Sequence, residues 1–195
     1  MKDARQTPED GRLILIRHTA VSGTGGLCYG RSDVALSADF AADAASVEAA
    51  LPPGPWLVYS SPSRRCLRLA ERFGAPVMID DRLCELDFGA WEGRAWDDLP
   101  RGDLDAWCAD YVHARPPGGE SFAELAARAL SFADDMAARH ARSCVVAVTH
   151  AGVIRALVAQ ARGIKLADAF SVDVAFGSLH AVTATDLVRA LEATL

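Results

Sequence analysis

The first apolar run of the chain is Leu13–Ile16, four aliphatic residues preceded by the polar stretch "MKDARQTPEDGR" and followed by Arg17 and His18. Similar runs recur as "WLVYS" at 56–60, "VMI" at 77–79 and "CVVAVTH" at 144–150. Short, nearly continuous apolar runs bounded by turn residues predict strands buried on both faces. The segments between them have helical spacing. One helix is predicted over Ser37–Leu51, with Ser37 as N-cap and "PPGP" as the stop. Others are predicted over Ser63–Phe73, ended by Gly74, over Ser121–His140, and over Gly152–Ala161. "SFAE", Ser121 to Glu124, has the form of a capping box. "SVDVAF" and "SLHAVTA" read as a strand pair around Gly177, and Asp186–Leu195 as a terminal helix. Residues 80–120 are irregular and rich in Gly, Pro and Trp, with a short helix over Leu104–Tyr111; they form a candidate insertion or lid. The alternation predicts an α/β three-layer sandwich, a mostly parallel central sheet flanked by helices. It forms a single domain over residues 13–195, after a flexible lead-in of residues 1–12.

Composition narrows the function classes. With 195 residues, 51% apolar and 24% charged, the chain can bury a full core without disulfides or metal. A net charge of −6 argues against a broad nucleic-acid or anionic-membrane surface. No apolar window is long enough to span a bilayer. The polar N-terminus lacks the apolar segment of a signal peptide. The five cysteines are scattered with no C-x-x-C pair, as expected of reduced thiols. These features together place the protein in the cytoplasm.

In open α/β sheets ligands bind beyond the carboxyl ends of the strands, so the residues after each run matter most. Arg17 and His18 follow the first, Arg64 and Arg65 the second, and His150 the fourth; Glu85 lies downstream of the third. A single histidine is more often structural than catalytic, and His113, His140 and His180 are read so. The coincidence at one edge is different. Stacking cations where buried strands end is unfavourable unless an anion answers them. A dianionic phosphate fits, because guanidinium forks match its oxygens.

The ordered segments "LIRHTA", "YSSPSRRCLRLAE", "LCELDFGAWEG", "PPGGES" and "VVAVTHAGVIR" resemble the motifs of the histidine phosphatase superfamily, which has the phosphoglycerate mutase-like fold. Within it, "CYGRSDVALS" at 28–37 resembles the α-ribazole phosphatases of cobalamin assembly. The resemblance implies a phosphomonoester hydrolase acting on a small phosphorylated metabolite. His18 would be the nucleophile that becomes phosphohistidine. Arg17 and Arg65 would clamp the phosphoryl oxygens, with Arg64 a rim charge. His150 would donate to a non-bridging oxygen as a cation. Glu85 would act as general acid and then base; it must carry a proton near neutrality, which walls built by Trp91 and Phe88 favour. Thr19 stands where the family has Gly, and Thr24 at the spacing of a phosphate-binding Asn. Asp87, Glu92, Asp97 and Asp98 read as solvated loop charges. Trp96, Trp107 and Tyr111 either pack the lid or stack on an aromatic base. No cofactor and no metal are implied, and a homodimer is the one protein partner the reading allows. The competing readings are a broad-specificity phosphatase, a phosphoglycerate mutase, a non-catalytic phosphoester-binding protein and a zinc hydrolase using His18 and His150. The short span from Arg65 to Glu85 favours a phosphatase over a mutase.

Overall fold

The computed structural model describes residues 11–183; the terminal helix expected over Asp186–Leu195 and residues 1–10 of the lead-in lie outside them. The strands are β1 (Arg12–Arg17), β2 (Trp56–Ser60), β3 (Val77–Ile79), β4 (Cys144–Thr149) and β5 (Leu179–Thr183). The helices are α1 (Phe40–Ala50), α2 (Arg64–Ala70), α3 (Arg101–Ala109), α4 (Phe122–Arg139) and α5 (Ala151–Ala161). The strands form one mixed sheet in the order β3-β2-β4-β1-β5, parallel except for β5, which runs antiparallel to β1.

The apolar runs are continuous because both sheet faces are covered. Successive strand residues point to opposite faces. Leu13 and Leu15 of β1, with Val145 and Ala147 of β4, pack against Leu125, Phe132 and Leu157 from α4 and α5. Ile14 and Ile16, with Val146 and Val148, pack against Val47 and Leu69 from α1 and α2. The result is the expected three-layer arrangement. Helix α4 starts as its sequence indicates: Ser121 Oγ accepts from Glu124 N at 3.3 Å, and the Glu124 carboxylate accepts from Ser121 N at 2.9 Å. Segment 80–120 builds a small core of its own, in which Trp91 and Leu99 close on Cys28. No helix among the described residues is long and apolar enough to cross a membrane.

Two expectations need correction. Helix α1 begins at Phe40 rather than after Ser37. Ser37 instead closes a turn, its Oγ accepting from Asp39 N at 3.2 Å and its carbonyl accepting from Phe40 N at 3.1 Å. Ser37 is therefore spent before the helix starts. The second correction concerns "SVDVAF", which is not a strand. Residues Leu166–Ser171 form a 3-10 segment, and the chain stays irregular until β5. Val172 and Val174 are buried as an alternating pattern would have them, but their carbonyls serve side chains. Val172 O accepts from Arg155 Nε at 3.2 Å, and Val174 O accepts from Arg17 NH1 at 2.7 Å. Two carbonyls of the segment thus bind arginine side chains instead of a neighbouring strand.

Strand register decides which residues can meet beyond the sheet. Arg17 lies opposite Thr149, and Ser60 opposite Val148. The carboxyl ends of β1, β4 and β2 therefore finish level, and the residues after them share one edge.

Candidate active site

Arg65 is the centre of that edge. It sits in the first turn of α2 and is 1% exposed, whereas Arg64 beside it points to solvent. Its guanidinium donates in four directions: Nε to His18 Nε2 at 3.2 Å, NH1 to Ser32 O at 2.8 Å, and NH2 to Gly30 O at 2.5 Å and to His150 Nδ1 at 3.2 Å. No carboxylate pairs with it: the ion pairs among the described residues all lie elsewhere.

Because a guanidinium can only donate, these contacts fix both imidazoles. His18 Nδ1 lies 2.8 Å from Thr19 O, so Nδ1 carries the hydrogen and Nε2 the lone pair. Burial, with Arg65 second, pushes His18 down to about 3. A buried neutral imidazole with a defined free nitrogen is what a nucleophile requires. His150 is arranged the other way. Its Nδ1 accepts from Arg65, and its Nε2 donates to Ser61 Oγ at 2.9 Å. His150 is fully buried, and burial together with Arg65 holds it well below the usual histidine range. His150 is thus neutral beside the Arg65 cation, and a positive charge on it needs an anion in the pocket to answer both groups. The ring centroids of His18 and His150 are 5.3 Å apart.

Arg17 approaches from the opposite wall. Its NH1 is tied to Val174 O, its Cζ lies 3.7 Å over the Phe176 ring, and its Nε is buried without a partner among the described residues. Glu85 completes the group. Its Oε1 accepts from Leu86 N at 2.9 Å and its Oε2 from Gly152 N at 3.2 Å, in the first turn of α5. A Cβ at position 152 would run into the carboxylate, so the close approach depends on glycine there. Thr19, standing in for the family glycine, is unstrained, since no non-glycine residue among those described has a positive φ. Thr24 is not brought in. Its carbonyl closes a turn with Leu27 N at 3.0 Å, and it does not line the cavity.

These residues share a cavity of about 220 Å³ lined by Arg17, His18, Arg65, Glu85 and Arg155, with an aromatic wall that includes Phe88, Trp96 and Trp107. Trp91, expected beside Glu85, is instead 2% exposed and packed behind this wall. Among the described residues no three His, Cys, Asp or Glu cluster as metal ligands.

The supports of the site were harder to read from sequence. Glu92, read as a solvated charge, accepts from Gly30 N at 3.0 Å, Arg31 N at 2.9 Å, Ser32 N at 3.0 Å and Phe88 N at 3.2 Å, and also bonds Ser32 Oγ. Burial opposes its charge, but the hydrogen bonds from Ser32 and the loop N–H groups outweigh it and hold the carboxyl below its usual range. It thus shapes the loop whose Gly30 and Ser32 carbonyls hold Arg65. Arg128 of α4 pairs with Glu120 at 2.5 Å and donates to the carbonyls of Arg82, Cys84 and Glu85 at 2.8, 2.6 and 3.0 Å, fixing the backbone under Glu85. Ser61, Arg155 and Arg128 carried only weak signals, as single polar residues inside the quoted motifs or on a helix face.

Residues 13–193 match the profile of the histidine phosphatase superfamily, branch 1. A glucosyl-3-phosphoglycerate phosphatase of Mycolicibacterium vanbaalenii is 34% identical over 170 residues, 78% of this chain and 75% of that enzyme. Phosphoserine phosphatase 1 of Hydrogenobacter thermophilus is 30% identical over 122 residues, and the match spans 58% of that enzyme's length and 59% of this chain. The crystal structure of the α-ribazole phosphatase from Shigella flexneri superposes with a TM-score of 0.78 at 29% identity, covering 87% of this chain and 89% of that one.

Two outcomes are expected from this geometry. In Glu92→Gln an amide N–H₂ faces backbone donors, so about 2 kcal/mol of stability is lost and vanadate binding weakens as Arg65 loses its two carbonyls. Urea unfolding and vanadate titration measure the two effects. The second outcome is a dependence on pH. His18 and His150 are held neutral when folded but titrate near 6.5 when unfolded. The unfolded chain therefore takes up protons that the folded chain refuses. Stability is full above that value and falls as pH drops below it, by up to about 1.4 kcal/mol per pH unit for each histidine. Urea midpoints measured between about pH 7 and pH 5 should decline, and the slope should be shallower in His150→Gln.

Proposed function

The chain belongs to the histidine phosphatase superfamily, and on that premise we propose that it is a phosphomonoester hydrolase working through a phosphohistidine on His18. The observation that carries this reading is the fixed tautomer of His18: Nδ1–H is spent on Thr19 O, and the Nε2 lone pair is directed at the Arg65 N–H. A phosphoryl oxygen is a better acceptor for that N–H than a neutral imidazole. Binding of a phosphate ester therefore turns Arg65 toward the phosphoryl group and frees Nε2 to attack.

In the first step Nε2 forms a bond to phosphorus while the ester P–O bond breaks. Glu85 gives its proton to the departing alkoxide. Arg17 and Arg65 offset the charge that accumulates on the equatorial oxygens. The dianion beside His150 favours its protonated form, and His150 then donates to a non-bridging oxygen. In the second step Glu85, now a carboxylate, takes a proton from water as the water oxygen attacks phosphorus. The N–P bond breaks, and inorganic phosphate and neutral His18 are restored.

For the substrate we propose α-ribazole 5′-phosphate, an ester whose alcohol joins a ribose to an aromatic base. Three observations support it: the α-ribazole phosphatase from Shigella flexneri among the structural neighbours, the likeness of "CYGRSDVALS", and the aromatic wall of Phe88, Trp96 and Trp107. Direct assay against other phosphorylated metabolites tests the choice.

The chemistry is tested by rapid quench with a labelled ester in the presence of EDTA. An acid-labile, base-stable phosphoenzyme is expected. His18→Ala should abolish it and lower turnover by about 10³-fold or more. Turnover within tenfold of the parent would defeat the proposal, and EDTA-sensitive activity would point to a metal hydrolase. Glu85→Gln separates leaving groups. An alkyl alkoxide needs the proton, so the variant should lose roughly 10²–10⁴-fold on the alkyl ester. Nitrophenolate departs almost unaided, so a burst of nitrophenolate followed by slow turnover is expected. Equal loss of the first step on both esters would remove Glu85 as the acid.

A further inference from the structure

The phosphate clamp leaves part of the pocket's charge unanswered. Three guanidinium groups, Arg17, Arg65 and Arg155, line the cavity against one carboxylate, Glu85. A phosphomonoester brings two negative charges, which Arg17 and Arg65 balance. The Glu85 carboxyl is engaged by the N–H groups of Leu86 and Gly152 and forms no ion pair with Arg155. Arg155 then keeps a full positive charge, and no ion pair among the described residues involves it.

Arg155 is nevertheless held in place. Its Nε donates to Val172 O at 3.2 Å, and its Cζ lies 4.8 Å over the Phe170 ring. Phe170 in turn stands edge-on to Tyr111 at 5.0 Å, yet is 55% exposed. With Nε tied back and the ring beneath, the fork end of the guanidinium has no hydrogen-bond partner among the described residues. A half-buried cation with free N–H groups and an exposed aromatic ring, both lining the same cavity, together offer a ligand a fork that needs an acceptor and a face to cover. The remaining wall is mostly aromatic: Tyr29, Phe88, Trp96, Trp107 and Tyr111.

We infer that Arg155, with Phe170 and Tyr111, forms a second subsite that binds a carboxylate carried by the leaving alcohol, so that the enzyme also takes phosphomonoesters joining an apolar or planar body to an acidic group. This extends the phosphomonoesterase reading and rests on it. It also reaches beyond α-ribazole 5′-phosphate, whose leaving group is uncharged. The carboxylate is recognised at a distance from the reacting phosphorus and is gripped alike in the ground state and the transition state. Its contribution therefore belongs in KM rather than in kcat.

The test uses 3- and 4-(phosphonooxy)phenylacetate and the matching phenylacetamides. The phenols have nearly equal acidity, so within each pair the esters differ only in charge at the far end. The full chain is assayed on both pairs. For at least one pair the acid should be preferred over the amide by roughly tenfold in kcat/KM, with the difference in KM. In Arg155→Gln that preference should collapse to about unity. A preference near unity for both pairs in the parent protein, a measurement that needs no variant, overturns the inference and leaves the phosphatase reading standing. A preference that survives in Arg155→Gln also overturns it, since another group would then be reading the charge. If none of the four esters is hydrolysed, the phosphatase reading itself has failed and the subsite falls with it.

Discussion

A buried guanidinium with no carboxylate partner is the constraint on which this structure turns. Removing a cation from water costs several kcal/mol unless its donors are met, and here Arg65 is met by two backbone carbonyls and two imidazoles. That choice of partners has consequences. A carboxylate would have neutralised Arg65 and removed its use. Carbonyls and neutral imidazoles satisfy its hydrogen bonds and leave the charge standing. Burial first, and this charge second, keep both histidines unprotonated, and by donating to them Arg65 selects the tautomer of each. One side chain thus orients both rings and supplies the field of the pocket.

The rest of the site is a set of supports, each holding one such group in place. Glu92 gathers the backbone N–H groups of residues 30–32 and so aims the carbonyls at Arg65. A Cβ on Gly30 would run into Leu86 O, which shows how tightly that loop is pressed against the segment following Glu85. Arg128 collects three carbonyls beneath Glu85 and is itself neutralised by Glu120. The 3-10 segment and the irregular stretch between α5 and β5 offer carbonyls to Arg17 and Arg155 and phenylalanine rings to their faces. Around the site the arginines divide by partner: Arg128, paired with Glu120, is scaffold, whereas Arg17 and Arg155, held by carbonyls and rings, line the cavity.

This division explains what could be read from the sequence. The strands were legible because burial on both faces leaves a continuous apolar run, and α4 because its capping box is local. Arg17, His18 and His150 were legible because they directly follow such runs, and Arg65 and Glu85 through their motifs. Glu92 was not: its partners are backbone groups some 60 positions away, and a loop glutamate between Trp and Gly looks the same whether solvated or clamped. "SVDVAF" misled for a related reason. Its valines alternate as in a strand, but whether its carbonyls bond to a strand or to arginine side chains is settled by residues 157 and 17 positions away. Thr24 was assigned by spacing alone, and spacing along a glycine-rich loop does not fix where a side chain ends.

The overall charge of −6 contrasts with a pocket made for dianions, and the distances reconcile the two. At physiological ionic strength, charges more than about 8 Å apart in solvent are largely screened. Acidic residues scattered over the surface therefore contribute little inside a cavity walled by Phe88, Trp96 and Trp107. The three arginines lining that cavity act across a few ångströms of poorly screened space. Net charge governs how the protein behaves toward large polyanions, whose many charges sample the whole surface. A small phosphate ester samples only the wall it touches, and there the balance is positive.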